Sequence, residues 1–163
     1  MQSLGELHFD RRKAQPSRRI VKEFYRQAKG RLKHDLLTLA NYEMAAVGQA
    51  LAEVIQSRNY TCYACTVMPD HVHMLIRKHR DTAEAMVQAF QEESRIAAVQ
   101  CDLRLPDHPV WTEGGWKGFE GSVEDMKRTI RYIEQNLVKI GRPLQHWKFV
   151  TPYNGWMPSI VTA

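Results

Sequence analysis

Met68-Pro69-Asp70-His71-Val72-His73-Met74-Leu75-Ile76 sets two histidines two residues apart inside an apolar run. The β-branched and long apolar residues predict a strand, opened by a turn or kink at Pro69-Asp70 and continuing to about Arg77. Side chains at i and i+2 of a strand point to one face. His71 and His73 are therefore expected to project together, with Val72, Met74 and Ile76 turned to the other side, toward a core. Two neighbouring imidazoles are half of a metal site that needs a third ligand. The same spacing also suits a surface pair that holds no ion, so it leaves both readings open.

Working outward, residues 60–68 are rich in aromatic and β-branched residues and predict a partner strand. Before it, Asn41 is expected to cap a helix over about 42–57, whose Met44, Val47, Leu51, Val54 and Ile55 fall on one stripe. After the histidine strand, Asp81 is expected to cap a helix reaching about Gln100. Glu84 stands at its third position, and Met86, Phe90 and Ala97 mark its inner face. Residues 105–109 read as a loop. Residues 110–120, with Trp111, Trp116 and Phe119, read as a strand pair or a bent strand broken at Gly114-Gly115. Ser122, with Asp125 three residues on, caps a last helix expected to run to about Val138, with Gly141 and Pro143 beyond. At about 100° per residue, Met126, Ile130, Ile133 and Leu137 form its buried stripe. Tyr132 and Asn136 fall on the flank of that stripe as i, i+4 neighbours. With residues 5–10 as a short first strand, the order is β-α-β-β-α-β plus a C-terminal helix. That is an α+β fold, the ferredoxin-like split βαβ arrangement with an antiparallel sheet and an added helix carrying Tyr132.

The 163 residues, 44% hydrophobic and 25% charged, suit one soluble domain over 1–163. Within it, 1–35 is a basic N-terminal segment and 142–163 a tail of aromatics and prolines. No apolar run approaches the roughly 20 residues of a membrane span, and no secretory leader pattern opens the chain. Three cysteines argue against a disulfide framework and for a reducing, cytoplasmic setting. Cys62 and Cys65 form a C-x-x-C without a second pair and read as small buried apolar residues. Charge is uneven: residues 1–33 hold ten Lys/Arg against three Asp/Glu, in a chain whose net charge is +5. Such a block suits a polyanion, most commonly nucleic acid, although a solvated face that only aids solubility has the same composition. Arg11, Arg12, Arg18, Arg19, Lys22 and Arg26 are the candidate DNA contacts. Tyr25 can join them, and Trp111, Trp116, Trp147 and Trp156 offer stacking surfaces, although tryptophans are more often core and no more than one or two are expected to be exposed.

Residues 67–76 taken with Tyr132-Ile133-Glu134-Gln135-Asn136-Leu137-Val138-Lys139-Ile140-Gly141 resemble the paired motifs of the single-tyrosine HUH transposases of bacterial insertion sequences. The closer likeness is to the REP-associated tyrosine transposases, whose second motif typically reads Y-I-x-x-N-P-V-x-A-G. The resemblance covers about residues 42–141. Leu137 stands where that family usually has proline and Ile140 where it has alanine. Asn136 replaces the glutamine usual in the insertion-sequence branch and agrees with the REP-associated one.

The resemblance implies that His71, His73 and Asn136 hold Mg²⁺ or Mn²⁺, and that the ion polarises the scissile phosphate of single-stranded or hairpin DNA. Tyr132 is then the nucleophile, leaving a 5′-phosphotyrosine link and a free 3′-OH, so that the strand is nicked and rejoined. A tyrosine with the ordinary pKa of about 10 is ionised in only about one part in a thousand at pH 7, a cost of about 4 kcal/mol. The sequence names no general base to meet it. Three readings follow: a metal-dependent DNA strand transferase, a catalytically silent module of the same fold that grips single-stranded or hairpin nucleic acid, and a zinc hydrolase whose nucleophile is water. Members of the two branches are expected to work as dimers that exchange the tyrosine helix or as monomers, and the sequence leaves that open.

Overall fold

The computed structural model describes residue 26, residues 37–101 and residues 106–158. The chain divides into units of residues 1–37 and 38–163. In the first, Arg26 is helical and exposed. Arg11, Arg12, Arg18, Arg19, Lys22, Tyr25 and the strand expected over 5–10 lie outside the described residues.

Among its described residues the second unit is α+β: three α-helices and a two-stranded antiparallel sheet. Helix α1 spans Asn41–Arg58 and buries Met44, Val47, Leu51, Val54 and Ile55, the predicted stripe. Each such side chain contributes about 1.5–3 kcal/mol on leaving water. The cap is Ala40 rather than Asn41: the Glu43 carboxylate reaches back to accept from the Ala40 N–H at 2.6 Å. A third-position glutamate thus satisfies the end that the asparagine was expected to close. Asn59 ends the helix in the left-handed region at φ 56°, which asparagine tolerates.

Strands β1, Cys62–Val67, and β2, Val72–Ile76, form a hairpin. All six β1 residues are buried. Because successive side chains alternate, both faces of β1 are covered. Cys62 and Cys65 are buried free thiols, and burial pushes Cys62 up to about 12. They are the apolar residues expected. The hairpin turn closes with the Met68 N–H donating to the His71 carbonyl at 2.7 Å.

Helix α2, Ala83–Cys101, packs on α1. Thr82 caps it, its hydroxyl accepting from the Ala85 N–H. Asp81, expected there, instead accepts a hydrogen bond from the Tyr60 hydroxyl at 2.7 Å. The inner stripe is Met86, Phe90, Ser94 and Ala98, so Ala98 takes the place expected of Ala97. Residues 110–120 form no strand. Val110 has φ 63°, Gly114 φ 82° and Gly115 φ 55°, a run of left-handed backbone that a strand cannot contain.

Helix α3, Val123–Glu134, begins as predicted, with the Ser122 hydroxyl accepting from the Asp125 N–H at 3.1 Å. It stops four residues before the expected Val138. A turn and the 3₁₀ segment Val138–Ile140 follow, closed by Gly141 at φ 74°. The tail then runs along β1. Gln145 bonds both backbone groups of Val67 (N–H to Oε1 2.9 Å, Nε2 to carbonyl 3.0 Å), Val150 bridges Cys62 in parallel, and the Thr151 N–H donates to the Cys62 carbonyl. An irregular segment thus satisfies the strand edge. Among the described residues no helix is long and apolar enough to cross a membrane.

Candidate active site

The turn of the hairpin fixes the two histidines. His71 precedes β2 and His73 lies within it. Their Nε2 atoms stand 3.0 Å apart, with the rings edge to face at 4.6 Å between centroids. His71 Nδ1 lies 2.7 Å from the Asp70 carboxylate. A carboxylate only accepts, so we assign the proton to Nδ1, which leaves a lone pair on Nε2. The bond to His71 holds the Asp70 carboxyl below its usual range. Burial, followed by the nearby His71 and Lys139, pushes His73 down to about 4. His73 is therefore neutral near pH 7, and its Nε2–H donates to the His71 Nε2 lone pair at 3.0 Å, which leaves its own lone pair on Nδ1.

Cross-strand pairing brings the third group in. Thr66 is the partner of His73 across the hairpin, and paired residues share a face. The buried Thr66 hydroxyl donates to the Ile133 carbonyl at 2.7 Å. That bond pins the last turn of α3 over the histidine face. Tyr132, one residue earlier, is thereby set with its ring 5.6 Å from that of His73 at 74°. Tyr132 is 47% exposed, so its phenol is open to solvent. Lys139, from the 3₁₀ segment, lies with Nζ 4.3 Å from the centre of the Tyr132 ring. A cation over that face orients the ring and adds positive charge beside it.

Asn136 departs from the expected geometry. Because α3 ends at Glu134, Asn136 is not the helical i+4 neighbour of Tyr132 but lies in the turn beyond. It is 7% exposed, and its Nδ2 has no hydrogen-bond partner. A buried amide with an unsatisfied end costs about 1–3 kcal/mol. Its N and O ends exchange by a half-turn of χ2, so the position also suits a carbonyl oxygen facing a ligand.

These residues fit a divalent cation. Two ligand atoms about 2.1 Å from an ion and at right angles are about 3.0 Å apart, matching the Nε2 separation. Asp70 supplies the outer carboxylate that orients a ligating imidazole.

The structure therefore gathers His71, His73 and Tyr132 at one corner of one chain. Sequence reasoning passed over Asp70, Thr66 and Lys139. Asp70 was legible as an acid directly before the first histidine. Thr66 and Lys139 act only through the fold. Of the four tryptophans Trp116 alone is largely exposed, at 68%, in keeping with no more than one or two being exposed.

The family model described as "Transposase IS200 like" matches residues 33–136, more than half of the chain. No curated protein and no solved structure matches it.

Proposed function

The chain belongs to the IS200-like transposases, DNA-acting enzymes of transposition and recombination, and on that premise we propose that it nicks and rejoins single-stranded or hairpin DNA through Tyr132. The observation that carries this reading is the Tyr132 ring beside the His71–His73 pair within one chain.

His71 and His73, with the proton between their Nε2 atoms moved to Nδ1 of His73, would hold Mg²⁺ or Mn²⁺, and Asn136 would add its amide oxygen. When bound, such an ion polarises the scissile phosphate and offsets charge developing on its oxygens. Asp70 keeps the His71 tautomer in place. The Tyr132 hydroxyl attacks the phosphorus, the bond to the 3′-oxygen breaks, and a 5′-phosphotyrosine ester forms. The proton lost by the phenol is balanced by the one the 3′-oxygen gains. Lys139 adds positive charge where the phenol oxygen becomes anionic. Rejoining is the same step reversed on another 3′-OH.

Asn136 and the contact between Tyr132 and His73 of one chain favour the REP-associated branch, with a monomer sufficient for the chemistry. Residues 1–163 then form a single HUH domain. Its described hairpin and helices are part of a ferredoxin-like split βαβ arrangement, and the basic segment with Arg26 grips DNA.

The test is incubation of labelled single-stranded hairpin DNA with protein and Mg²⁺ or Mn²⁺, followed by denaturing electrophoresis. A slowly migrating protein–DNA species is expected from wild type and none from Tyr132→Phe. Free 5′-phosphate without an adduct would make water the nucleophile. Binding without cleavage would make the chain a silent DNA-gripping module.

A further inference from the structure

The open end of the hairpin carries a second feature. Arg77 N–H donates to the Thr61 carbonyl at 2.9 Å, the last rung before the strands part. Here α1 delivers Arg58, and the segment leaving β2 reads Arg77-Lys78-His79-Arg80. These residues and Trp156 line an open cleft of about 770 Å³. Among the described residues no carboxylate lines it. The nearest in sequence, Asp81, already accepts from Tyr60 and stands 4.0 Å from Arg80. The Arg77 guanidinium lies 4.1 Å from the centre of the Trp156 ring, which holds its plane while leaving N–H edges available as donors. Lys78 and Arg80 are exposed.

From four cations, no lining carboxylate and an aromatic ring in one cleft, we infer that Arg58, Arg77, Lys78 and Arg80 form a binding site for the phosphodiester backbone of single-stranded DNA. Clustered cations beside an aromatic are how single strands are held without reading sequence. Alternation along β2 puts Arg77 on the face of His73. Four residues of strand separate them by about 13 Å, so one strand of DNA spans both ends of the hairpin. The inference rests on DNA being the substrate, and it adds a site for the flanking strand, away from the bond that is cut.

Fluorescence anisotropy with a labelled single strand, titrated across salt, tests it. Each phosphate contact to a single strand contributes about 0.7 to the slope of log K against log salt. Lys78→Gln/Arg80→Gln, which spares the Arg77–Trp156 stack, is expected to flatten the slope by about 1.4. Adding Arg77→Gln takes the loss to about 2, with affinity near 0.1 M salt falling about tenfold or more. Arg95→Gln, at a residue already paired with Glu92 on α2, keeps the wild-type slope. Unchanged slope and affinity in the folded double and triple variants would overturn the site, as would losses confined to blunt duplex. The adduct assay on wild type stands apart. Adduct formation with unchanged slopes sinks the cleft alone, whereas flattened slopes without any adduct sink the nicking reading and leave the cleft.

Discussion

The turn end and the open end of one hairpin are held together by different physics. At the turn, Asp70, His71, His73 and Tyr132 contact each other in sequence, and a buried threonine fixes the helix that brings the tyrosine. At the open end, arginines and a lysine stand around a cleft with no lining acid among the described residues. Short, directional contacts set geometry to fractions of an ångström, which bond-making needs. Clustered cations set a field, which tolerates displacement and suits a flexible polyanion. On the proposed reading the two ends of β1 and β2 divide chemistry from grip, and substitutions at each should be read out differently.

The largest effect is expected at the turn. His71→Ala/His73→Ala, or chelator added to wild type, should lower adduct yield by at least about 10³-fold while the salt slope of DNA binding stays as in wild type. Cleavage that persists in chelator would break the division. Asp70→Asn removes the carboxylate that fixes His71, and the Mg²⁺ or Mn²⁺ concentration for half-maximal cleavage should rise about 10–100-fold. Thr66→Val keeps the shape but leaves the Ile133 carbonyl only the longer 3.3 Å bond from the Asn136 N–H. It is expected to cost about 1–2 kcal/mol of stability by denaturant melt and to slow adduct formation about tenfold, since Tyr132 loses its register. A variant that melts earlier yet cleaves at full rate would show that the bond to Ile133 serves stability alone.

The smallest effect lies behind the open end. Burial and the bond to Asp81 push the Tyr60 hydroxyl up to about 12. Tyr60→Phe should destabilise the chain by about 1 kcal/mol at neutral pH and leave the adduct yield of folded protein unchanged. A raised pKa means that the folded state holds its proton more tightly, so this stabilisation is complete below about pH 10 and is lost as pH rises toward 12. The gap in melting temperature between wild type and Tyr60→Phe should therefore close over that range.

The hairpin, the stripe of α1 and the Ser122 cap of α3 were legible because each is written in local periodicity and capping chemistry. Residues 110–120 were misread since aromatic residues favour a strand, whereas Val110, Gly114 and Gly115 turn the backbone left-handed. The position of Asn136 was misread for a related reason: nothing within α3 announces a stop at Glu134, and the glycine cap at Gly141 closes a 3₁₀ turn instead. Thr66 and Lys139 were invisible because their partners, Ile133 and Tyr132, are set by tertiary packing. The cleft was hidden in the same way, its cations scattered over residues 58–80 and its tryptophan at 156.

On the proposed mechanism the phenol of Tyr132 takes the DNA strand. Digestion of the purified wild-type adduct with trypsin and nuclease, followed by mass spectrometry of the nucleotide-linked peptide, tests it most directly. The modified residue should be Tyr132, within the fragment of residues 132–139. A nucleotide found on Tyr153, Tyr42 or Tyr25, with residue 132 unmodified, would contradict the account.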